Sequence, residues 1–161
     1  MTYPKSEREV RVGDAVWIND GRWLVRVVRL SQEACSNEEE GFYFSYEASE
    51  KYGETFGFMP KAQMQGDGVC PLTEEEELGV RLLIRKLSIE HGLSEHNLHY
   101  SLSYRMHADG NNDAFDWKIG VIDEKQMRKM RRFIYHEKED RFEELQQMDR
   151  QMMDLFVWAV N

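Results

Sequence analysis

The sequence predicts an α+β fold in which a small β-barrel is followed by a helix, a β-hairpin and a long C-terminal helix. Three patterns lead to this prediction. Five short apolar stretches lie between Val10 and Met59, with the spacing of strands in a small barrel. A helix start of the capping-box type stands at Thr73. The stretch from Asp123 to Val160 contains neither Pro nor Gly and carries an apolar stripe at helical spacing.

The composition bounds the class of protein. The chain has 161 residues, 41% of them hydrophobic, which is enough for a core in one domain or two small ones. Its 30 acidic residues exceed its 21 Lys and Arg, and the formal net charge of -9 disfavours general attraction to nucleic acid or anionic lipid. The start lacks an apolar signal core and no window approaches about 18 consecutive apolar residues, so we expect a cytoplasmic protein that does not enter the membrane. Cys35 and Cys70 are too few for a disulfide framework.

The N-terminal part, residues 8–60, is predicted to be the barrel. We predict strands at 10–12, 15–18, 23–30, 42–46 and 55–59. Asn19-Asp20-Gly21 favours a tight hairpin between the second and third strands, and the run from Ser31 to Gly41 is predicted to be a solvated loop. This strand rhythm, with Gly13-Asp14 at a turn and a curved third strand, resembles the small SH3-like barrels, including the KOW and Tudor types. The resemblance implies a shape and carries no function by itself.

The second part is predicted to be a helix, hairpin and long-helix domain at residues 73–161, after a linker at 61–72. Thr73 and Glu76 have capping-box spacing, and Gly92 is predicted to end the helix. The apolar face between them is formed by Val80, Leu83, Ile84 and Leu87. Alternating patterns at 98–106 and 115–121 predict the hairpin, with residues 109–113 as its turn. We expect its aromatic side chains to pack against the helices on either side.

One helix over residues 123–160 creates a problem of length. At 1.5 Å per residue it would be roughly 50 to 55 Å long, whereas a compact domain of this size is about 40 Å across. The helix must therefore project, break or find a partner. Lys138 and Arg141 fall on its apolar stripe, where burial of charge would be costly, so we expect its two halves to have different neighbours.

The sequence lacks the common enzyme motifs. This argues against an enzyme but leaves an enzyme as an alternative. Four histidines lie close in sequence but lack a Cys or acidic partner at a recognisable zinc spacing: His91, His96, His99 and His107. Asp109, Asn111 and Asp113 repeat the first ligand positions of an EF-hand loop. Ala114 and Gly120, however, stand where the loop requires Gly and Glu. We therefore predict no metal site and no cofactor.

Asp109 followed by Asp116-Trp-Lys118 looks like the acid, then Asp/Glu-x-Lys, order of a large nuclease superfamily. Asp116 and Lys118 would share one face of the hairpin, where carboxylates could hold Mg²⁺. The same three residues are also consistent with an exposed ion pair, and the net charge disfavours a groove for DNA. A metal-dependent nuclease is thus a third hypothesis.

Aromatic residues are dense in the barrel half, and most of them are needed to fill a small core. Exposed rings on such barrels can form a groove or cage for a peptide or a methylated cation. Strand alternation places Tyr43 opposite Phe42, Phe44 and Tyr46. The candidate partner-binding residues here are Tyr43, Tyr46 and Tyr52.

The C-terminal region offers two further surfaces. Phosphates could be contacted by Arg128, Lys129, Arg131 and Arg132. The acidic run beyond them would let two copies pair antiparallel, or let a basic partner dock. Adaptable Met and aromatic side chains at the end of the tail are candidates for partner binding, or for burial against the helix at 73–92. These are Met148, Met152, Phe156 and Trp158.

The leading functional hypothesis is a non-enzymatic protein that occupies a surface of a larger macromolecule, with a protein as its partner and a homodimer through the C-terminal helix as an option. Acidic chains without catalytic signatures are of the kind that phages and mobile elements use to block or redirect host machinery. The second hypothesis is a nucleic-acid-associated regulator that uses the barrel and residues 128–132.

Overall fold

The computed structural model describes residues 9–18, 23–31, 39–49, 57–94, 98–106, 115–123 and 130–145. Within these ranges the chain forms β-strands and two α-helices. In chain order they are β1 (Ala15–Ile18), β2 (Trp23–Ser31), β3 (Gly41–Ser45), β4 (Gly57–Pro60), α1 (Lys61–Met64), β5 (Cys70–Pro71), α2 (Glu74–His91), β6 (Leu98–Met106), β7 (Phe115–Asp123), β8 (Met130–His136) and β9 (Arg141–Glu144).

One antiparallel sheet contains all of these strands, in the order β4-β3-β2-β6-β7-β8-β9, with β1 and β5 on a branch from β2. β2 has three partners. Arg26 pairs with Ala15 of β1 on one edge and with Ser45 of β3 on the other. Trp23 likewise pairs with β1 and, on the opposite edge, with Ser103 of β6. β3 and β6 therefore share one edge of β2, with β6 at its beginning and β3 towards its end.

Two hydrogen bonds, one between backbone groups and one to a side chain, close the junction of β3 and β6. Beyond the end of β3, the Ala48 amide donates to the Tyr100 carbonyl of β6 at 2.8 Å. The Tyr100 amide donates in return to the Ser49 hydroxyl at 3.3 Å. The chain after β3 thus runs along the edge of β6 beyond its pairing with β2. These contacts join the strands around β3 to the strands around β6.

The prediction of a closed SH3-like barrel is wrong. Strands at 15–18, 23–31, 41–45 and 57–60 lie close to predicted ones, but the sheet continues through β2 into β6 and stays open. The predicted strand at 10–12 does not form: Gly13 has a φ of 91°, and the Arg11 amide donates to the Asp14 carboxylate at 2.7 Å. Sequence periodicity indicates where strands lie, and it does not show which strand edges pair further.

Residues 61–72, which we predicted to be a linker, contain α1, a turn and β5. The turn after α1 is closed by the Val69 amide, which donates to the Met64 carbonyl at 3.0 Å. β5 then pairs with β1, with Cys70 opposite Trp17. The division into domains at 8–60 and 73–161 stays a prediction.

Local chemistry fixes both ends of α2 as the sequence predicts. The Thr73 hydroxyl accepts from the Glu76 amide at 3.2 Å, and the Glu76 carboxylate accepts from the Thr73 amide at 3.0 Å. This reciprocal pair is a capping box. At the other end Gly92 has a φ of 65°, in the left-handed region that glycine adopts without a steric penalty.

Two apolar clusters lie on opposite faces of β1 and β2, because side chains alternate along a strand. The first cluster is covered by α2 and extends over β6, β7 and β8; it includes Ala15, Trp17, Leu24, Ile84, Leu87, Tyr100, Leu102, Ile119 and Phe133. The second is formed by Val16, Ile18, Val25, Val27, Phe42, Phe44 and Met59. Tyr100 of β6 thus shares this cluster with Ile84 and Leu87 of α2, and the packing of the other hairpin aromatic residues against a helix stays a prediction.

The prediction of one long helix over 123–160 is wrong for the described part of that range. Asp123 ends β7, and residues 130–145 contain the hairpin of β8 and β9. Its turn ends at Asp140, which has a φ of 49°. Asp adopts this left-handed conformation more readily than most residues other than Gly. Lys138 and Arg141, where the apolar stripe was interrupted, lie in this turn and directly after it. Residues 146–160 lie outside the described ranges.

The buried side chains of β8 explain the error. Phe133 is 0% exposed and Ile134 is 5% exposed, although adjacent residues of a strand face opposite sides. The apolar stripe at helical spacing includes Met130 and Ile134 but not Phe133 and Tyr135. Consecutive aromatic and β-branched residues favour a strand buried on both faces. Pairing with β7 then determines the structure of this segment.

Arg131 joins the β8–β9 hairpin to α2. Its Nε and Nη2 donate to the two carboxylate oxygens of Glu144 at 2.9 and 2.8 Å, and its Nη1 donates to the His91 carbonyl at 3.2 Å. The hydrogen bonds from Arg131 lower the pKa of Glu144 below its usual value of 4.5. This two-pronged geometry is the strong form of an Arg–carboxylate pair.

We expect Glu144→Gln to destabilise the fold by about 0.5 kcal/mol near neutral pH, a modest value because the pair is partly exposed. Because the folded-state pKa is lowered, ionised Glu144 stabilises the fold above its unfolded pKa, and this contribution is lost as the pH falls through the lowered pKa. Urea denaturation of both proteins between pH 7 and pH 2 should show a difference in unfolding free energy that vanishes at the acid end. Glu137→Gln, in the exposed turn, is the matched control. A difference that stayed constant with pH would contradict the assignment.

Candidate binding groove

A groove of about 500 Å³ lies at one end of the second apolar cluster. It opens between the end of β2, the start of β3, α1 and β5. Its apolar wall is formed by Val10, Leu30, Met64 and Val69, and its polar rim by Glu9, Glu40, Lys61 and Gln65. We call this concave surface the groove.

Backbone pairing brings the walls of the groove together. Leu30 pairs with Phe42 across β2 and β3, which places both side chains on the face of the second cluster. The Lys61 amide donates to the Glu40 carbonyl at 2.8 Å, so α1 begins directly beside the start of β3. Leu30 is nevertheless 39% exposed, since it lies where the cluster opens to solvent. The groove thus extends the second cluster to the surface.

The rim of the groove is acidic. Glu9 and Glu40 contribute carboxylates, and Lys61 Nζ lies 3.1 Å from Glu40 Oε1. The Lys61 and Glu40 side chains are 66% and 44% exposed, so their ion pair is weak and can rearrange around a ligand. Two carboxylates against one lysine leave the rim negative, which favours a ligand that carries positive charge.

Gly41 allows β3 to pack closely against β4 at the floor of the groove. A Cβ on Gly41 would lie 2.2 Å from the Met59 carbonyl oxygen and 2.8 Å from the Phe58 ring. Both distances are shorter than carbon contacts in proteins. The absence of a side chain at this position is therefore required by the strand pairing that shapes the groove.

Tyr43 lies on the other side of the same strands, as alternation predicts. Its ring centroid is 4.7 Å from that of Phe58, and the Arg29 guanidinium carbon lies 4.2 Å from the Tyr43 ring centroid. The strand register pairs Tyr43 with both residues. This row is a cation–π and aromatic ladder across three strands on an outer surface of the sheet, and it does not line the groove.

The other predicted partner-binding residues are not part of this ladder. Tyr46 packs at the border of the second cluster, with its ring 5.2 Å from Phe44 and 5.8 Å from Trp23. Burial, assisted by the nearby Asp67 carboxylate, raises the pKa of the Tyr46 hydroxyl. Four of the predicted residues and Tyr52 lie outside the described ranges; the four are Met148, Met152, Phe156 and Trp158.

The residues of the nuclease hypothesis are only partly placed. Asp116 and Lys118 are two positions apart on β7, in register with His136 and Ile134 of β8. Asp109 lies outside the described ranges. Among the residues that the structure describes, no group of three or more His, Cys, Asp or Glu side chains is arranged to hold a metal ion.

The two described histidines of the sequence cluster have separate environments. The His91 ring packs 4.7 Å from the Phe133 ring, at the end of α2. His99 Nδ1 lies 3.1 Å from a Glu47 carboxylate oxygen, at β6. His96 and His107 lie outside the described ranges.

The basic patch of the nucleic-acid hypothesis does not form one surface in the part that is described. Arg131 and Arg132 are adjacent residues of β8 and face opposite sides of the sheet. Arg131 is engaged by Glu144 and by the His91 carbonyl. Arg128 and Lys129 lie outside the described ranges.

No protein-family model, no curated protein and no solved structure matches the chain. Neither described helix is long and apolar enough to cross a membrane.

Sequence reasoning missed the residues of the groove. Lys61 and Met64 lie in the segment that we interpreted as a linker. Leu30 was predicted to lie in a strand, and nothing in the sequence indicated that its side chain would be exposed. Glu40 belonged to an acidic run that we interpreted as solvated loop. One available signal was Leu30 itself, an apolar residue at the end of a long strand and beside a polar run.

We expect Gly41→Ala to destabilise the fold by about 2 kcal/mol, because the added Cβ would push β4 away from β3. Gly79→Ala is the matched control: a Cβ there meets nothing within 4 Å, so the change should stabilise α2 by up to about 1 kcal/mol. Urea denaturation measures both variants. Equal effects of the two changes would contradict the close approach of β3 and β4.

Proposed function

We propose that this protein is a non-enzymatic binding protein that takes a short basic segment of a larger protein partner into the groove. The observation that carries this proposal is the combination of an apolar wall with an acidic rim. A segment with one apolar anchor next to Lys or Arg would satisfy both parts. The anchor would cover Leu30 and Met64, and its positive charge would approach Glu9 and Glu40.

The size of the groove supports a side-chain anchor. Its volume of about 500 Å³ falls within the range of about 300 to 1,000 Å³ typical of ligand sites. Covering an exposed leucine removes apolar surface from water, which favours association. The net charge of -9 would also speed the approach of a basic partner at low salt.

The chemistry of the lining favours binding over catalysis. The described residues that line the groove include no His and no Cys. The Ser31 hydroxyl donates to the Glu39 carbonyl at 2.9 Å. Lys61 is engaged with Glu40, and neither side chain is buried in the way that commonly tunes a catalytic acid or base.

The alternative functions receive less support from the described residues. A homodimer through one helix at 123–160 loses its basis at 130–145, which are strands and a turn. A phosphate-binding face at 128–132 is not formed by Arg131 and Arg132, which face opposite sides. A protein partner therefore remains the leading proposal, and inhibition of a larger machine is one way in which such binding could act.

Selection from a random peptide library tests the proposal. We expect the full chain to enrich peptides with an aliphatic or aromatic residue beside Lys or Arg. Leu30→Asp should weaken binding of the selected peptides at least tenfold, because it puts a charge in place of the exposed leucine of the apolar wall. Raising the salt concentration should weaken the remaining binding, since the rim contribution is electrostatic.

Leu82→Asp is the matched control, because Leu82 is an exposed leucine on the outer side of α2, away from the groove. It should leave the affinity unchanged. Peptides that lack basic residues, or that bind the Leu30→Asp and Leu82→Asp variants equally well, would contradict the proposed site.

A further inference from the structure

Helix α2 carries a second apolar surface on the side that faces away from the sheet. Leu78 is 54% exposed, Leu82 is 53% exposed and Ile89 is 73% exposed. At about 100° per residue, this side is opposite to the side that packs into the first cluster. The packed side consists of Val80, Leu83, Ile84 and Leu87. Three of the five exposed large apolar residues in the described part of the chain thus lie on one side of one helix.

Two charged residues continue this apolar surface along the helix. Five residues follow one another at alternating spacings of three and four, within about 80° around the helix axis: Glu75, Leu78, Leu82, Arg85 and Ile89. We call this row the outer stripe. Its spacing is that of the seam between two helices that pack side by side. The outer stripe is therefore suited to packing against another helix.

Gly79 lies next to the outer stripe, in the interior of α2. A Cβ at this position would meet nothing within 4 Å, and its φ is not in the left-handed region. A glycine inside a helix costs about 1 kcal/mol relative to alanine. No contact among the described residues requires the missing side chain. A second helix that approaches closely at this point does require it, because a side chain would hold the two helices apart.

We propose that the outer stripe is the contact surface for a second copy of this chain. The two α2 helices run antiparallel about a twofold axis that is level with Val80. In this register Leu78 lies opposite Leu82 of the second copy, and by symmetry Leu82 lies opposite Leu78. The next layer on either side pairs Glu75 with Arg85. Two apolar layers are thus enclosed by two ion-pair layers.

Charge complementarity selects a second copy as the occupant and fixes this register. Glu75 and Arg85 are both exposed, and neither forms an ion pair with another described residue. Neither has an opposite charge three or four residues away along the helix. A register that is shifted to pair Leu78 with Ile89 would place Arg85 against Leu82. It would also leave Glu75 beyond the end of the other helix.

The residues that flank the axis are compatible with a close approach. Gly79 lies on one flank and faces Gly79 of the second copy, so no side chain separates the helices there. Arg81 lies on the other flank. Its repulsion from Arg81 of the second copy is offset by Glu77, one turn earlier in each helix.

The size of the contact predicts a weak, reversible dimer. An 18-residue helix is about 27 Å long and about 10 Å wide, which gives a contact of about 270 Å² on each copy. Stable interfaces bury about 800 Å² on each partner. None of the described groove-lining residues belongs to α2, so the dimer would carry two grooves. A partner with two basic segments would then bind more tightly than to one copy. That consequence rests on the proposed function, whereas the helix contact does not.

Sedimentation equilibrium of the full chain at low salt, from micromolar to millimolar concentration, tests this contact. We expect an average mass that rises with concentration from 19.2 kDa towards twice that value. Leu82→Asp should abolish the rise, because it places a charge in both apolar layers. Glu75→Arg and Arg85→Glu should each raise the dissociation constant about tenfold, since each makes both ion-pair layers like-charged.

Two combinations separate this register from a general effect of charge. The double variant Glu75→Arg with Arg85→Glu restores opposite charges in both layers and should dimerise like the unaltered chain. An equimolar mixture of the two single variants should also dimerise, because each copy supplies the charge that the other lacks. Glu90→Arg is the matched control: it makes the same change of charge on α2 outside the outer stripe and should leave the dissociation constant unchanged.

A mass of 19.2 kDa at every concentration would overturn the proposal and leave the outer stripe to a different protein or to another part of this chain. Dimerisation that persists in Leu82→Asp would also overturn it, since the contact would then lie elsewhere. So would a failure of both the double variant and the mixture to restore the dimer. Circular dichroism of each variant checks that the fold is retained.

Discussion

The fold depends on the alternation of side chains along β2, a strand shared by two apolar clusters. Leu24 points into the cluster under α2, whereas Val25 and Val27 point into the cluster with Phe42 and Phe44. Along one edge, β2 pairs first with β6 and then, further along the strand, with β3. Neither cluster can lose β2 without exposing its own apolar surface, so the two parts of the sheet are coupled through one strand.

Arg26 is the buried charged residue of this shared strand, and its burial requires specific partners. Its Nη1 donates to the Gly13 carbonyl at 2.9 Å and lies 3.3 Å from a Glu77 carboxylate oxygen, while its Nη2 donates to the Ala48 carbonyl. The guanidinium thereby connects the loop before β1, the chain after β3 and the first turns of α2. At the other end of β2 the same strand exposes Leu30, so the groove lies where the second cluster runs out of cover.

The sequence predicted those features whose cause is local. Thr73, Glu76 and Gly92 define α2 through hydrogen bonds and a left-handed residue. Alternation also placed Tyr43 on the face of β3 opposite Phe42 and Phe44. The β8–β9 hairpin was missed because its turn contains neither Gly nor Pro. The groove was missed because Leu30 and Lys61 become neighbours only after β3 and β4 have paired. The pairing of one edge of β2 with both β6 and β3 cannot be predicted from the pattern of apolar residues. Side chains alternate along a strand in the same way whichever strand is its neighbour.

Native-state hydrogen exchange in increasing denaturant tests most directly whether β2 couples the two clusters. The hydrogen-bonded amides of β3 report the second cluster, and those of β7 report the first. Because both clusters depend on β2, the account predicts that these amides share one opening free energy and one denaturant dependence, equal to those of global unfolding. Exchange of β3 at a clearly lower free energy, while β7 stays protected, would show that the clusters open separately and would contradict the account.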